Sequence, residues 1–394
     1  MSATTGKIDL YYFGDIGAWD DLNPYYWYRK PSSPEILFAV AGSSPYELNI
    51  NDIAGIIDRK PEAVRRQISA MAGIGMLSEK EGKYSTSFSV VLERDVPILR
   101  ELAERTACSL SEVLLDHGEE LKALAENISC SEEFGTARVL YHAIGCDTLD
   151  GTALEALADM GIMAISKEQP GGRNYILQGF ERSATVEEMS SGLLCSCNST
   201  GNHQVQFISF GDTKGDRKDL FRFLRMKDQL GPSEACRQLN LSPNPIMENP
   251  EEHILELCSS IILKAPSADT LASERHAAAF LQELEYISVD STVSVALKVP
   301  FFRTQDRDAI TAISERVMEL MVPILEVEFA NLPDKLPGLS SLDHVVDGKE
   351  IANELWHQVF GRINEELVRD GLLAKPKHIL GEGRYFRALY ASGI

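Results

Sequence analysis

The chain has 394 residues, a formal net charge of −21, 44% hydrophobic and 25% charged residues, a composition that excludes disordered and fibrous classes and leaves room for two or three folded units. Its start, MSATTGKIDLYYFGD, lacks the apolar core and cleavage site of a leader, and no run approaches the roughly 20 apolar residues of a membrane helix, so a cytoplasmic protein without membrane partners is expected. Seven cysteines, an odd number scattered except for Cys195-Ser-Cys197, point to thiols in a reducing compartment.

Residues 1–33 form an aromatic arm with Tyr11, Tyr12, Trp19 and Tyr25–Tyr28. It is expected to pack on its own core or on a second subunit rather than to stack a flat ligand. From Pro34 the pattern predicts three helices and a hairpin. Glu35–Ala41 is the first helix, stopped by Gly42; Asn49 or Asn51 caps a second that buries Ile53, Ala54 and Ile57. Pro61 opens a third, in which Val64, Ile68 and Met71 recur on one face. Gly73 and Gly75 end it, Met76-Leu77 start a strand, Glu81-Gly82-Lys83 turns, and Tyr84–Val91 returns.

The third helix turns Glu62, Arg65, Arg66 and Ser69 outward when Val64, Ile68 and Met71 face in. Arginine can take guanine bidentately or clamp a phosphate. Arg59 and Lys60 precede the helix, where its first N–H groups favour an anion, and Lys80 and Lys83 flank the hairpin tip. From Arg59 to Lys83 six basic residues stand against three acidic ones, a window of +3 in an acidic chain. A polyanion would be repelled elsewhere and attracted here.

The stretch Leu48–Leu77 resembles the helix-turn-helix of bacterial winged-helix repressors of the ArsR, MarR and GntR kind. Ile53-Ala54 match the pair that opens the second helix of those families, and Val64, Ile68, Met71, Gly75 and Met76 fall in register with their recognition helix. The resemblance covers about 60 residues, a normal size for one such module. It implies a winged helix-turn-helix over 34–92, with double-stranded DNA as partner and with Arg65 and Arg66 at DNA-contacting positions; Arg59, Lys60, Ser69, Lys80 and Lys83, from their places on the outer face, at the helix entry and at the hairpin tip, complete the expected DNA-binding residues. The metal-binding cysteines of some ArsR members and the D-x-R wing element of MarR proteins are absent, so no ligand is carried over.

Residues 93–183 are expected to form a helical linker or dimerisation segment. Asp95–Thr106 and Ser109–Asn127 read as two amphipathic helices, the second opened by the capping box Ser109-Leu-Ser-Glu112. Leu154–Met163 and a hairpin-like Ala164–Phe180 look like a degenerate winged helix used for packing. Residues 184–345 form an α+β effector or oligomerisation domain. Its expected elements are a strand at Gln204–Phe210, a helix near Asp216–Lys227, a half-buried strand at Thr292–Val299 and a long helix capped by Thr304 that Pro323 kinks or splits. Residues 346–394 repeat the echo, with a helix from Lys349 to Asp370 and a hairpin bearing Lys375, Lys377, Arg384 and Arg387.

The expected class is therefore mixed α+β, mainly helical, with a winged helix-turn-helix at the amino end and degenerate winged-helix-like repeats behind it. Catalytic signatures are missing. Cys195-Ser-Cys197 with His203 lacks a fourth metal ligand, the cysteine cluster of sugar-kinase-like regulators is incomplete, and no phosphate-binding or dinucleotide loop occurs. The sequence thus predicts a non-enzymatic transcriptional regulator without cofactor or metal, a homodimer that answers to an unidentified small-molecule effector. Its alternatives are a winged-helix protein-interaction scaffold and an enzyme of unrecognised type in residues 180–345.

Overall fold

Ile8 and Leu10 turn inward from an extended amino-terminal segment, and their burial makes the expected aromatic arm the first strand of a sheet. The structure, a computed structural model, describes residues 6–190, 192–212, 215–264, 272–289, 295–344 and 346–392. It is mixed α and β, with helix in the majority.

The chain begins with β1 (Ile8–Asp15), α1 (Pro24–Tyr28), α2 (Ser33–Ala41), α3 (Ile50–Ile56), α4 (Pro61–Gly73), β2 (Leu77–Lys80), β3 (Lys83–Thr86) and β4 (Ser89–Val91). After a 3-10 turn at Glu93–Asp95 come α5 (Val96–Asp116), α6 (Gly118–Ala125), α7 (Ser131–Phe134) and α8 (Thr136–His142). A π-helical stretch, Ala143–Thr152, joins α8 to α9 (Ala153–Asp159), and β5 (Glu168–Gln169), β6 (Arg173–Glu181) and α10 (Ala184–Ser190) follow. Next are β7 (Leu194–Gly201), β8 (Val205–Asp212), α11 (Leu220–Leu230), α12 (Pro232–Gln238), α13 (Glu251–Lys264) and α14 (Ala272–Glu283). A second 3-10 turn, Pro245–Glu248, lies between α12 and α13, and the strands β9 (Ile287–Val289), β10 (Val295–Leu297) and β11 (Phe301–Phe302) precede a third, Thr304–Asp306. The chain closes with α15 (Arg307–Phe329), α16 (Leu332–Lys335), α17 (Ser340–Asp343), α18 (Gly348–Arg369), β12 (His378–Ile379) and β13 (Gly383–Ala391).

Two compact units result. The first contains Met1–Ser109, Ala153–Ser191 and Val322–Val359. In its four-stranded sheet β6 is central, antiparallel to β1, parallel to β4 and closed by a hairpin with β5. Ile8, Leu10, Trp27, Ile36, Ile68 and Leu177 share one core with α2, α3 and α4. The expected single strand Tyr84–Val91 is broken here. Phe88 buries its ring, 2% exposed, and this turns the chain so that β3 pairs with β2 while β4 leaves for β6.

The second unit contains Leu110–Thr152, Gly192–Met321 and Phe360–Ile394. Its five-stranded sheet runs β11-β13-β8-β7 with β12 hairpinned to β13, and a two-stranded ribbon pairs β9 with β10. Val205, Phe207, Phe223, Phe280, Leu281 and Leu389 belong to one core. The hairpins expected as wings at 164–180 and 374–390 therefore supply the central strand of each sheet instead.

Three other expectations change. The capping box at Ser109 does not form: Ser109 Oγ donates to the Arg105 carbonyl one turn back at 3.2 Å, and α5 continues through it because Leu110 and Leu114 extend the buried stripe. Thr304 does not cap α15; Asp306 accepts from the Arg303 amide at 2.7 Å and the helix starts at Arg307. Pro323 does not split α15, since it lies with Glu319 on the exposed face, where water can take the freed carbonyl. The first residues of the strand expected at Thr292–Val299, including Val293, lie outside the described residues; β10 begins at Val295. Among the described residues no helix is long and apolar enough to cross a membrane.

Candidate nucleic-acid interface

Asn49 caps α3, accepting from the Asn51 and Asp52 amides at 2.8 and 3.2 Å, and Asp52 returns a carboxylate to the Asn49 amide at 3.0 Å. This reciprocal pair fixes where α3 starts. Asp58, in the left-handed region at φ 52°, ends it and sets up the turn to α4. Lys60 stands at the N-cap of α4 with Pro61 at its first position, and no side chain caps the helix. Pro61 brings no N–H and the Ala63 amide bonds the Lys60 carbonyl at 2.9 Å, which leaves the Glu62 amide of the first turn for solvent or an anion.

Val64, Ile68 and Met71 are 1%, 0% and 0% exposed. The opposite face of α4 carries Glu62, Arg65, Arg66 and Ser69 in the open, and Arg59 and Lys60 are exposed at its start. The helix is held in place by its neighbours: Gln67 donates to the Pro31 carbonyl at 2.6 Å, and the Arg66 guanidinium lies 5.8 Å over the Trp27 ring. Arg59 donates to Ser32 Oγ at 3.3 Å and to the Asp58 carbonyl at 3.1 Å.

Lys80 and Lys83 are directly opposed across the β2–β3 hairpin, and both turn residues between them, Glu81 and Gly82, have positive φ, at 53° and 75°. This is the tight turn that matches strand twist. Opposed like charges destabilise a strand pair, so an anion between the two ammonium groups would be welcome. All seven residues predicted from the sequence as DNA contacts are exposed, on α4, at its start or at this hairpin tip.

The second unit holds the polar groups that drew attention elsewhere. Cys197 on β7 places its Sγ 3.3 Å from that of Cys146 in the π-helical stretch, while Cys195 is buried and His203 is exposed beyond the strand. Among the described residues no group of three or more His, Cys, Asp or Glu side chains is placed to hold a metal ion. The carboxyl-terminal hairpin is less basic on its surface than its sequence suggests. Arg384 pairs with Asp212 at 3.1 Å and Glu365 at 2.7 Å, and Arg387, 8% exposed, donates to the Lys218 carbonyl at 2.6 Å.

Sequence reasoning missed two carboxyls of the π-helical stretch. Burial raises Asp147 to about 7 against the opposing effect of a 2.7 Å hydrogen bond from the Tyr390 hydroxyl, and burial raises Asp150 to about 8 against the nearby Arg217 charge. Such groups hold or release a proton near neutrality. Asp147-Thr-Leu-Asp150 carries no signal of this in sequence, because the stretch is covered from distant parts of the chain: β7 packs on it and β13 brings the Tyr390 hydroxyl to Asp147.

Neither family models, nor curated proteins, nor solved structures offer a match to this chain.

Proposed function

We propose that the chain is a DNA-binding transcriptional regulator in which α2–α4 and the β2–β3 hairpin form a winged helix-turn-helix. The observation that supports this reading is the division of α4: its apolar stripe is buried while Arg65, Arg66 and Ser69 are open to solvent in line with the unfilled helix start. In this reading Arg65 and Arg66 reach base edges in the major groove. Arg59 and Lys60 hold a phosphate at the start of α4, and Lys80 and Lys83 hold the neighbouring backbone.

The test is duplex binding as a function of salt. Affinity should fall steeply from 50 to 200 mM salt, as counterion release demands. Arg65→Ala with Arg66→Ala should remove binding while lowering the melting temperature only by the loss of the Arg66–Trp27 contact, because both side chains are exposed. A protein that binds neither genomic fragments nor generic duplex at low salt is not a DNA-binding regulator, and the face of α4 is then a protein-docking surface.

A further inference from the structure

The two units share a plan that neither cysteine, charge nor hydropathy patterns announce. β1, α1–α4, β2–β4, a 3-10 turn and the long α5 recur in the same order as β8, α11–α14, β9–β11, a 3-10 turn and the long α15, the second series adding one 3-10 turn, Pro245–Glu248, between α12 and α13. Two short helices, a long helical run and a hairpin complete each series, ending in β6 and in β13. The pairings recur as well: β1 with β6 and β8 with β13 are antiparallel, β4 with β6 and β11 with β13 parallel.

The correspondence reaches individual residues, at a displacement of 197 for Gly14 and Gly211, 210 for Met76 and Tyr286 and 211 for Asp95 and Asp306. Phe13-Gly14-Asp15 ends β1 and Phe210-Gly211-Asp212 ends β8; Gly14 opposes Tyr175 and Gly211 opposes Tyr385. A side chain at either glycine would collide with the backbone of the same hairpin position, Asn174 or Arg384. At the end of α4 the Met76 amide returns to the Met71 carbonyl at 2.9 Å, and at the end of α14 the Tyr286 amide returns to that of Leu281 at 3.0 Å. One displacement, 210 residues, relates Met76 to Tyr286, Gly161 to Gly371 and Tyr175 to Tyr385.

The copies also exchange parts. Residues 110–152 of the first copy belong to the second unit, and the matching residues 322–359 of the second copy belong to the first unit. Each exchange is fastened by the same joint. Asp95 accepts from the Ser340 amide and hydroxyl at 2.9 and 2.8 Å, and Asp306 accepts from the Ser129 amide and hydroxyl at 2.8 Å each.

We infer that the chain is a tandem duplication folded as the single-chain counterpart of a segment-swapped dimer, and that only its first copy meets DNA, at one asymmetric half-site. The second part rests on the DNA-binding reading above. At the displacement of 210, Arg59, Lys60, Ser69 and Lys80 correspond to Asp269, Thr270, Ala279 and Asp290, Arg66 to His276, and only Arg65 keeps a cationic counterpart, Arg275. Residues 232–298 hold ten acidic against four basic residues, whereas 34–92 hold seven against six. A phosphate backbone is repelled by the former. The dimer expected from the sequence is thereby supplied within one polypeptide, since segments that two chains would exchange are already exchanged.

Sedimentation equilibrium of the full-length chain at micromolar concentration should give one species of 43.6 kDa; a dimer overturns the single-chain framework. Selection of bound genomic duplexes by the same protein, followed by native mass spectrometry, should yield asymmetric sites with one chain per duplex. Arg65→Ala should weaken binding roughly tenfold or more and Arg275→Ala less than twofold. Palindromic sites carrying two chains, or equal losses for the two variants, overturn the single half-site. If no duplex is enriched, the DNA-binding reading and its half-site both fall, while the sedimentation result separately decides the framework.

Discussion

Gly14 and Gly211 stand opposite Tyr175 and Tyr385 in two different sheets, each at a point where the cross-strand backbone leaves no room for a Cβ. Gly14 also has φ +96°, a region that L side chains rarely adopt. Alanine at either position should destabilise the protein by about 1–3 kcal/mol, as overpacking against rigid neighbours does. Urea unfolding followed by circular dichroism reads the loss; a glycine whose replacement costs nothing would not be held by its sheet.

The opposed Lys80 and Lys83 set stability against binding. Lys83→Glu replaces a repulsive cross-strand pair by an attractive one and should stabilise the hairpin by about 0.2–1 kcal/mol. It should also weaken duplex binding and lower the salt slope by about one. Thermal melts and salt titrations on the same preparation check both signs, and a variant that gains stability with unchanged salt slope removes Lys83 from the interface.

Ile68 is fully buried on the inner face of α4. Ile68→Ala should cost about 2–5 kcal/mol through lost burial and a residual cavity. Denaturant titration gives the number. A cost below 1 kcal/mol would mean that α4 is not anchored by this stripe, and the outward aim of Arg65 and Arg66 would lose its cause.

The raised carboxyls give a pH dependence. With Asp147 near 7 and Asp150 near 8 in the folded protein against the usual 3.8, the native state retains protons that the unfolded chain has released. Stability therefore falls as pH rises from about 4 towards 8. Calorimetry at pH 5.5, 6.5 and 8 should show a declining melting temperature, and Asp147→Asn with Asp150→Asn should flatten the decline. A melting temperature that climbs across this window contradicts the protonated state of both groups.

Thiol reactivity follows burial. Cys108 is exposed and Cys197 half-buried, and Cys130, Cys146, Cys195, Cys236 and Cys258 are buried. Burial alone holds the Cys258 thiol far above its ordinary range, and burial pushes Cys130 up to about 11. Native alkylation read by mass spectrometry should label Cys108 first and Cys258 only on unfolding. Early labelling of Cys258 would show that the core around α13 opens locally.

Much of the first unit was legible because local rules and burial agree there. Asn49 caps α3, Pro61 starts α4, and Val64, Ile68 and Met71 share its buried face as their spacing predicts. The strand expected at Gln204–Phe210 is β8, and the helix expected from Lys349 to Asp370 is α18. What escaped was decided at long range. Ser109 reads as a cap until Leu110 and Leu114 are buried in one stripe with α5, and Phe88 breaks a strand only because the core takes its ring. The second set of helices went unrecognised because α14 replaces the Val64, Ile68 and Met71 pattern by Glu274, Ala278 and Leu281. The duplicate lies in pairings, turns and glycine positions more than in side-chain identity.

The exchange of residues 110–152 for residues 322–359 has a consequence for synthesis. A ribosome releases the chain from its amino end, yet the first unit lacks a part until Val359 has emerged, long after Ser109. The backbone edge of β4 at Val90, which Ser341 of that late segment covers, must wait unpaired in the meantime, an open strand edge of the kind that invites misassembly of a nascent chain.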